Sequence, residues 1–149
     1  MECFSRVYHA RWGDMDGNGH MANRAYLDVA GDARMLYFAS RGFSMREFER
    51  LRVGPVIRKD VLEYFRETKL LEELTVGVTL AGLSADGSRF SICNEFHSGA
   101  GKLVARVTSD GGWLDLDARR LVAPPETLAP ILRELTRTED FAEIPPPRT

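Results

Sequence analysis

Arg11-Trp-Gly-Asp-Met-Asp-Gly-Asn-Gly-His-Met-Ala-Asn23 packs three aspartate or histidine side chains and three glycines between two stretches of different periodicity. Upstream, residues 4–12 are rich in aromatic and β-favouring side chains, which predicts a strand. Downstream, Tyr26, Val29, Ala30, Ala33 and Tyr37 recur at helical spacing, and Asn23 is placed to cap that helix. The acidic turn therefore delivers carboxylates to a helix start, where unpaired N–H groups and the positive end of the macrodipole face outward. A carboxylate beside such an anion-stabilising pocket suits hydrolytic chemistry.

The chain has 149 residues, 44% of them apolar, enough for one globular domain. Twenty basic and 22 acidic side chains leave a net charge of −2 without a basic run, which argues against nucleic acid as a partner. Cys3 and Cys93 lack CxxC spacing and are expected as free thiols in a reducing compartment. No signal pattern and no apolar run of membrane-spanning length is present, so a cytoplasmic location is expected.

Beyond the turn, the spacing predicts a buried helix over 23–41 that ends at Gly42, and a short helix over 43–51 with Ser44 as its cap. Residues 55–66 mix β-branched and aromatic side chains and predict a long strand. Leu74, Val76, Val78 and Leu80 alternate with small or polar residues, as in a half-buried strand. The segment 84–88 reads as a hairpin turn, and Phe90, Ile92, Asn94 and Phe96 line one face of the next strand. After a second turn at 98–101 comes a last long strand over 103–116, in which Gly111-Gly112 signals a bulge or a close backbone approach. Leu128, Ile131, Leu132 and Leu135 predict a short docked helix, followed by an extended tail from Pro145. The expected architecture is α+β, with one long helix across an antiparallel sheet and a short C-terminal helix. The domain reading is a single unit over 1–149, with a core over about 4–117 and an extension over 118–149. One helix leaves much of such a sheet uncovered, so oligomerisation is expected.

Two readings compete for the acidic turn. Asp14, Asp16, Asn18 and Gly19 match positions of an EF-hand calcium loop. However, the twelfth position is Ala25 rather than Glu, and a strand rather than a helix precedes the loop. No metal is therefore expected. His9 and His97 have no ligand-like spacing, and no Gly-x-Ser-x-Gly elbow is present.

The second reading is a resemblance. Asp14, Asp16, Gly19, His20, Asn23 and Tyr26, with Arg34 and Gly42 further on, resemble the 4-hydroxybenzoyl-CoA thioesterase-like family of hotdog-fold acyl-CoA thioesterases. That resemblance implies a sheet wrapped around one long helix, dimers made by joining sheets and often paired into tetramers, and an active site between subunits. It implies hydrolysis of an acyl-CoA, with Asp16 as nucleophile or general base and no cofactor beyond the coenzyme A of the substrate. The helix start near Asn23 would polarise the carbonyl. His20 joins the catalytic candidates, and Gly19, Tyr26 and Tyr64 those for substrate binding. Arg58, Lys59, Arg89 and Lys102 are candidates for the coenzyme A phosphates. Asp14 is expected to brace the turn or pair with an arginine. The chain departs from the family in having Ala22-Asn23 where relatives carry two asparagines, and in its 67–73 loop. A non-catalytic acyl-CoA or acyl-carrier binding module on the same fold is the alternative.

Overall fold

The computed structural model describes residues 3–145. Strand β1 (Phe4–His9) leads through a 3-10 turn at Trp12–Asp14 to the long helix α1 (Asn23–Ser40) and the short α2 (Met45–Leu51). Strands β2 (Val53–Tyr64), β3 (Glu73–Ser84), β4 (Arg89–Ser98) and β5 (Leu103–Asp115) follow, then β6 (Arg120–Val122), α3 (Ala129–Arg133) and β7 (Arg137–Ile144). The sheet runs β1-β3-β4-β5-β2, antiparallel along this path. This is the α+β arrangement the sequence predicts, with α1 lying across the sheet over β1, β3 and β5.

Alternation places the core. Leu74, Val76, Val78 and Leu80 of β3 and Phe90, Ile92 and Phe96 of β4 are buried against Ala25, Tyr26, Val29, Ala30, Ala33 and Tyr37 of α1. The helix is buried along one face only; Arg24, Asp28, Asp32 and Leu36, four residues apart, form an exposed stripe. The expectation of a buried rather than a surface helix is thereby corrected for the protomer, in which three of the polar interruptions, Arg24, Asp28 and Asp32, form a wet stripe. At its far end, Phe38, Phe48 and Phe90 surround Trp113, whose indole N–H donates to the Gly87 carbonyl at 3.1 Å.

Three further boundaries differ from expectation. The first strand stops at His9, because Arg11 and Asp14 form a reciprocal capping box that turns the chain at Trp12. Asn23 is the first helical residue rather than the cap, since Ala22 has the extended conformation of an N-cap (φ −66°, ψ 148°). The strand at 103–116 is not the last. Strand β6 continues the β4 position alongside Trp113–Asp115, and β7 runs parallel to the second half of β3, beyond the reach of β1. With Leu128 and Leu132 fully buried, residues 120–144 thus contribute to sheet and core. Of the predicted extended tail, residues 146–149 lie outside the described residues.

Gly111 and Gly112 mark a close backbone approach. A Cβ on Gly111 would collide with the Val56 carbonyl oxygen, and one on Gly112 would lie 2.8 Å from that of Ser88. The bulge is on the neighbouring strand, where Arg58 is the extra residue between the pairs Ile57–Gly111 and Lys59–Asp110. Cys3 and Cys93 form no disulfide. No helix among the described residues is long and apolar enough to cross a membrane.

Candidate functional site

The acidic stretch folds as a small hairpin. Met15 and Met21 form an isolated bridge, the Asp16 N–H donates to the His20 carbonyl (2.9 Å), and the Ala22 N–H donates to that of Asp14 (2.7 Å). The loop closes at Gly19, whose φ of +81° is in the left-handed region that a side chain would disfavour. Asp16 is thereby held at the loop's root, one strand pair away from the first turn of α1.

Two aspartates two residues apart meet opposite environments. Asp14 is buried, and Arg11 binds both its oxygens: Nε at 3.2 Å and the backbone N–H at 3.0 Å from Oδ2, Nη2 at 3.1 Å from Oδ1. Burial pushes its carboxyl up, but the bonds from Arg11 outweigh this and hold it below the ordinary carboxylate range. Asp14 therefore braces the turn. The Asp16 side chain stays 28% exposed. Its Oδ1 accepts the N–H groups of Asn18 (2.8 Å) and His20 (3.5 Å), while Oδ2 faces only His20 Nδ1, at 3.4 Å.

The same His20 nitrogen lies 3.2 Å from the Met21 carbonyl oxygen. Both its neighbours are acceptors, so Nδ1 carries the hydrogen and Nε2 is left outside this pair of contacts. His20 thus holds the carboxylate in place from one side, with its own side chain 30% exposed.

Helix α1 begins without a capping side chain, which Ala22 cannot supply. Such a cap is ordinarily worth about 1 kcal/mol. Among the described residues the Asn23 and Arg24 N–H groups find no acceptor, so the positive end of an 18-residue helix stands open. Around it, Tyr64 donates to the Asn23 carbonyl at 3.0 Å and packs edge-on against Tyr26. Tyr26 itself is buried, its hydroxyl donating to Thr68 Oγ1 at 3.0 Å, so it forms the wall rather than a free polar contact. Thr68 is the residue that sequence reasoning missed. Its carbonyl accepts the Met21 N–H at 2.7 Å and clamps the 65–72 loop to the hairpin; no periodicity in that loop announces it.

Asp16, Gly19, His20, Asn23, Tyr26 and Tyr64 are thus brought to one end of the sheet. The cationic candidates divide. Arg58 and Arg89 line one cavity of about 910 Å³, on a floor that includes Gly112, Leu121 and Ile144; Lys59 and Lys102 are not part of it. This cavity is at the opposite end of the sheet, by the β3–β4 turn, whereas Lys102 lies in the β4–β5 turn. Within one protomer the cavity is therefore separate from Asp16. Among the described residues no group of three or more His, Cys, Asp or Glu side chains is arranged to hold a metal ion.

Known structures share this fold. A 1,4-dihydroxy-2-naphthoyl-CoA thioesterase from Synechocystis superposes with a TM-score of 0.80 at 18% identity, over 90% of this chain and 98% of its own. A Staphylococcus aureus protein solved in complex with CoA gives 0.83 at 20% identity, over 98% and 96%. A gentisyl-coenzyme A thioesterase gives 0.75 at 14% identity, over 84% and 98%. At these identities the likeness establishes the hotdog fold. No curated protein matches the chain by sequence. The sequence profile of the thioesterase-like superfamily matches residues 10–132, most of the chain and every residue named around Asp16, and the chain belongs to that superfamily.

Proposed function

We propose that the protein is an acyl-CoA thioesterase, hydrolysing a thioester to a carboxylic acid and free coenzyme A. The observation that carries this reading is the placement of a partly exposed carboxylate, Asp16, at the same end of the sheet as the uncapped start of α1. An ester carbonyl held at that start would meet the Asn23 N–H as its oxygen gains charge, with Asp16 Oδ2 as the group free to act. Asp16 either attacks the carbonyl carbon, or takes a proton from water that does so; His20 orients it in both cases. CoA thioesters are the substrates named for two structures of this fold, and a third was solved with CoA, which supports the same chemical class here.

The separated cavity fits a dimer. Among the described residues the outer edge of β2, a strand of 12 residues, has no strand partner, and such an edge is a template for a second copy. In antiparallel pairing about a two-fold axis through the middle of β2, the C-terminal end of one copy meets residues 53–58 of the other. The Tyr64 end of β2, at the Asp16 site, then meets the Val53 end of the second copy, on the half of the strand that leads into the cavity lined by Arg58 and Arg89, so the coenzyme A phosphates can reach that cavity across the seam. A protein without metal or cofactor, acting as a homodimer or a dimer of dimers, is the assembly this reading requires.

Thiol release from acyl-CoAs of aromatic, short and long aliphatic type tests it. Turnover of at least one is the expected result. Binding of acyl-CoA without any thiol release would leave the protein a binding module.

A further inference from the structure

The flank of α1 that faces β2 ends in a guanidinium with unused donors. At about 100° per residue, Asn23, Leu27 and Arg34 fall within about 40° of one another on the helix surface. They share the flank on which Tyr64 binds the Asn23 carbonyl. Arg34 Nη1 donates to Ser109 Oγ at 3.1 Å and to Asn94 Oδ1 at 3.4 Å, and Ser109 passes the contact to Asp60 Oδ1 of β2 at 2.6 Å. Among the described residues Arg34 has no direct carboxylate partner, and its Nε and Nη2 have no acceptor. The Tyr8 hydroxyl is the one fully buried, unpartnered side-chain atom among those residues, so the free Arg34 donors are not fully enclosed.

Gly31 borders that guanidinium. A Cβ there would stand 3.7 Å from Arg34 Nη2, in ordinary van der Waals contact, so a side chain placed at this position reaches the guanidinium directly. Opposite, Asp60, Leu62 and Tyr64 are on the helix side of β2 and none is buried. By helical position and strand side, a line from the uncapped N–H of Asn23 to Arg34 passes Leu27, Gly31 and Leu62, the two leucines partly buried against the core. Along the helix axis this span is about 16 Å, shortened by an arginine side chain that tilts toward the N-terminus. Burial lowers the tendency of Arg34 to hold its proton, against the pull of Asp60, so a further acceptor would be gained at a site already short of solvent.

We propose that Arg34 reads the far end of the acyl group, favouring acyl groups that end in a hydrogen-bond-accepting oxygen over those that end in a methyl. The proposal rests on the thioesterase reading, since it places the thioester carbonyl at Asn23. An oxygen-terminated acyl group satisfies Nε and Nη2; a methyl-terminated one strands them beside apolar surface, and sites built to bond an oxygen reject the analogue lacking it.

The test compares kcat/KM for acyl-CoAs of equal length that end in carboxylate, hydroxyl or methyl, across a series of lengths. The expected result is a preference of at least tenfold for an oxygen-terminated member at one or more lengths. Gly31→Asp sets a carboxylate against the guanidinium while leaving Asn94 and Ser109 bonded to it, and should reduce that ratio to near one. Arg34→Met should do the same where it folds. A wild-type ratio near one, or a preference that survives Gly31→Asp, overturns the role of Arg34 while hydrolysis itself stands. Absence of thiol release from every member overturns both readings.

Discussion

Asp14 and Asp16 carry the same chemical group in the same turn, and their neighbours give them different work. Arg11 saturates Asp14, which is buried; Asp16 keeps one oxygen facing only His20. Replacing Asp14 by Asn should cost about 1–3 kcal/mol, because it weakens charge-assisted bonds to a buried group. The folded carboxyl sits below its ordinary value, so its contribution is complete above about pH 4 and fades as pH falls through the lowered value. Urea denaturation of Asp14→Asn and wild type should therefore show a constant gap near neutrality that closes in acid. An equal gap at pH 3 and pH 7 would contradict this account of Asp14. The division of labour was legible from sequence in part. Spacing and resemblance singled out Asp16 and left Asp14 to pair with an arginine. Which atom His20 offers depends on the Met21 carbonyl 3.2 Å away, and no spacing reveals that.

At the scale of elements, side-chain alternation was the reliable signal where one face is buried. Leu74 to Leu80 and Phe90 to Phe96 were readable because each strand has a core side and a wet side. Arg137–Ile144 was not, because β7 is bound at an edge through its backbone and most of its side chains remain exposed, so its charges hide the period. Asn23 was mistaken for a cap because its residue type favours that position, whereas the hairpin bonds through Ala22 fix the helix start one residue earlier. Of the two readings of Gly111-Gly112, a bulge or a close backbone approach, the second applies, and the bulge is on the facing strand. Gly111→Ala should then be more damaging than an ordinary surface change, by about 2–4 kcal/mol, since the obstacle is the Val56 backbone and not a mobile side chain. A shift in urea midpoint at unchanged slope would measure it. A loss under about 0.5 kcal/mol would show that β2 and β5 can separate more easily than their register implies.

For the whole molecule, the Asp16 site and the Arg58–Arg89 cavity are at opposite ends of one sheet, and the two-fold axis proposed at β2 would join them. No single-chain sequence pattern can express that adjacency, which is why the four cationic candidates could not be ordered from sequence. Two of them now share a cavity. Combining Arg58→Ala with Arg89→Ala should raise KM for acyl-CoA by roughly tenfold or more, in line with loss of charge-assisted bonds to phosphate. The same change should leave hydrolysis of an acyl-pantetheine, which lacks the nucleotide, close to wild type. Equal losses on both substrates would place these arginines elsewhere than at the phosphates. The central claim, however, is that Asp16 performs the chemistry at the open start of α1. The most direct measurement is single-turnover thiol release by Asp16→Asn beside wild type, on whichever acyl-CoA the wild type cleaves fastest. The variant keeps the side-chain shape and removes the charge. A fall of about a thousandfold or more is expected, with binding and thermal stability retained; equal rates in the two proteins would remove Asp16 from the chemistry.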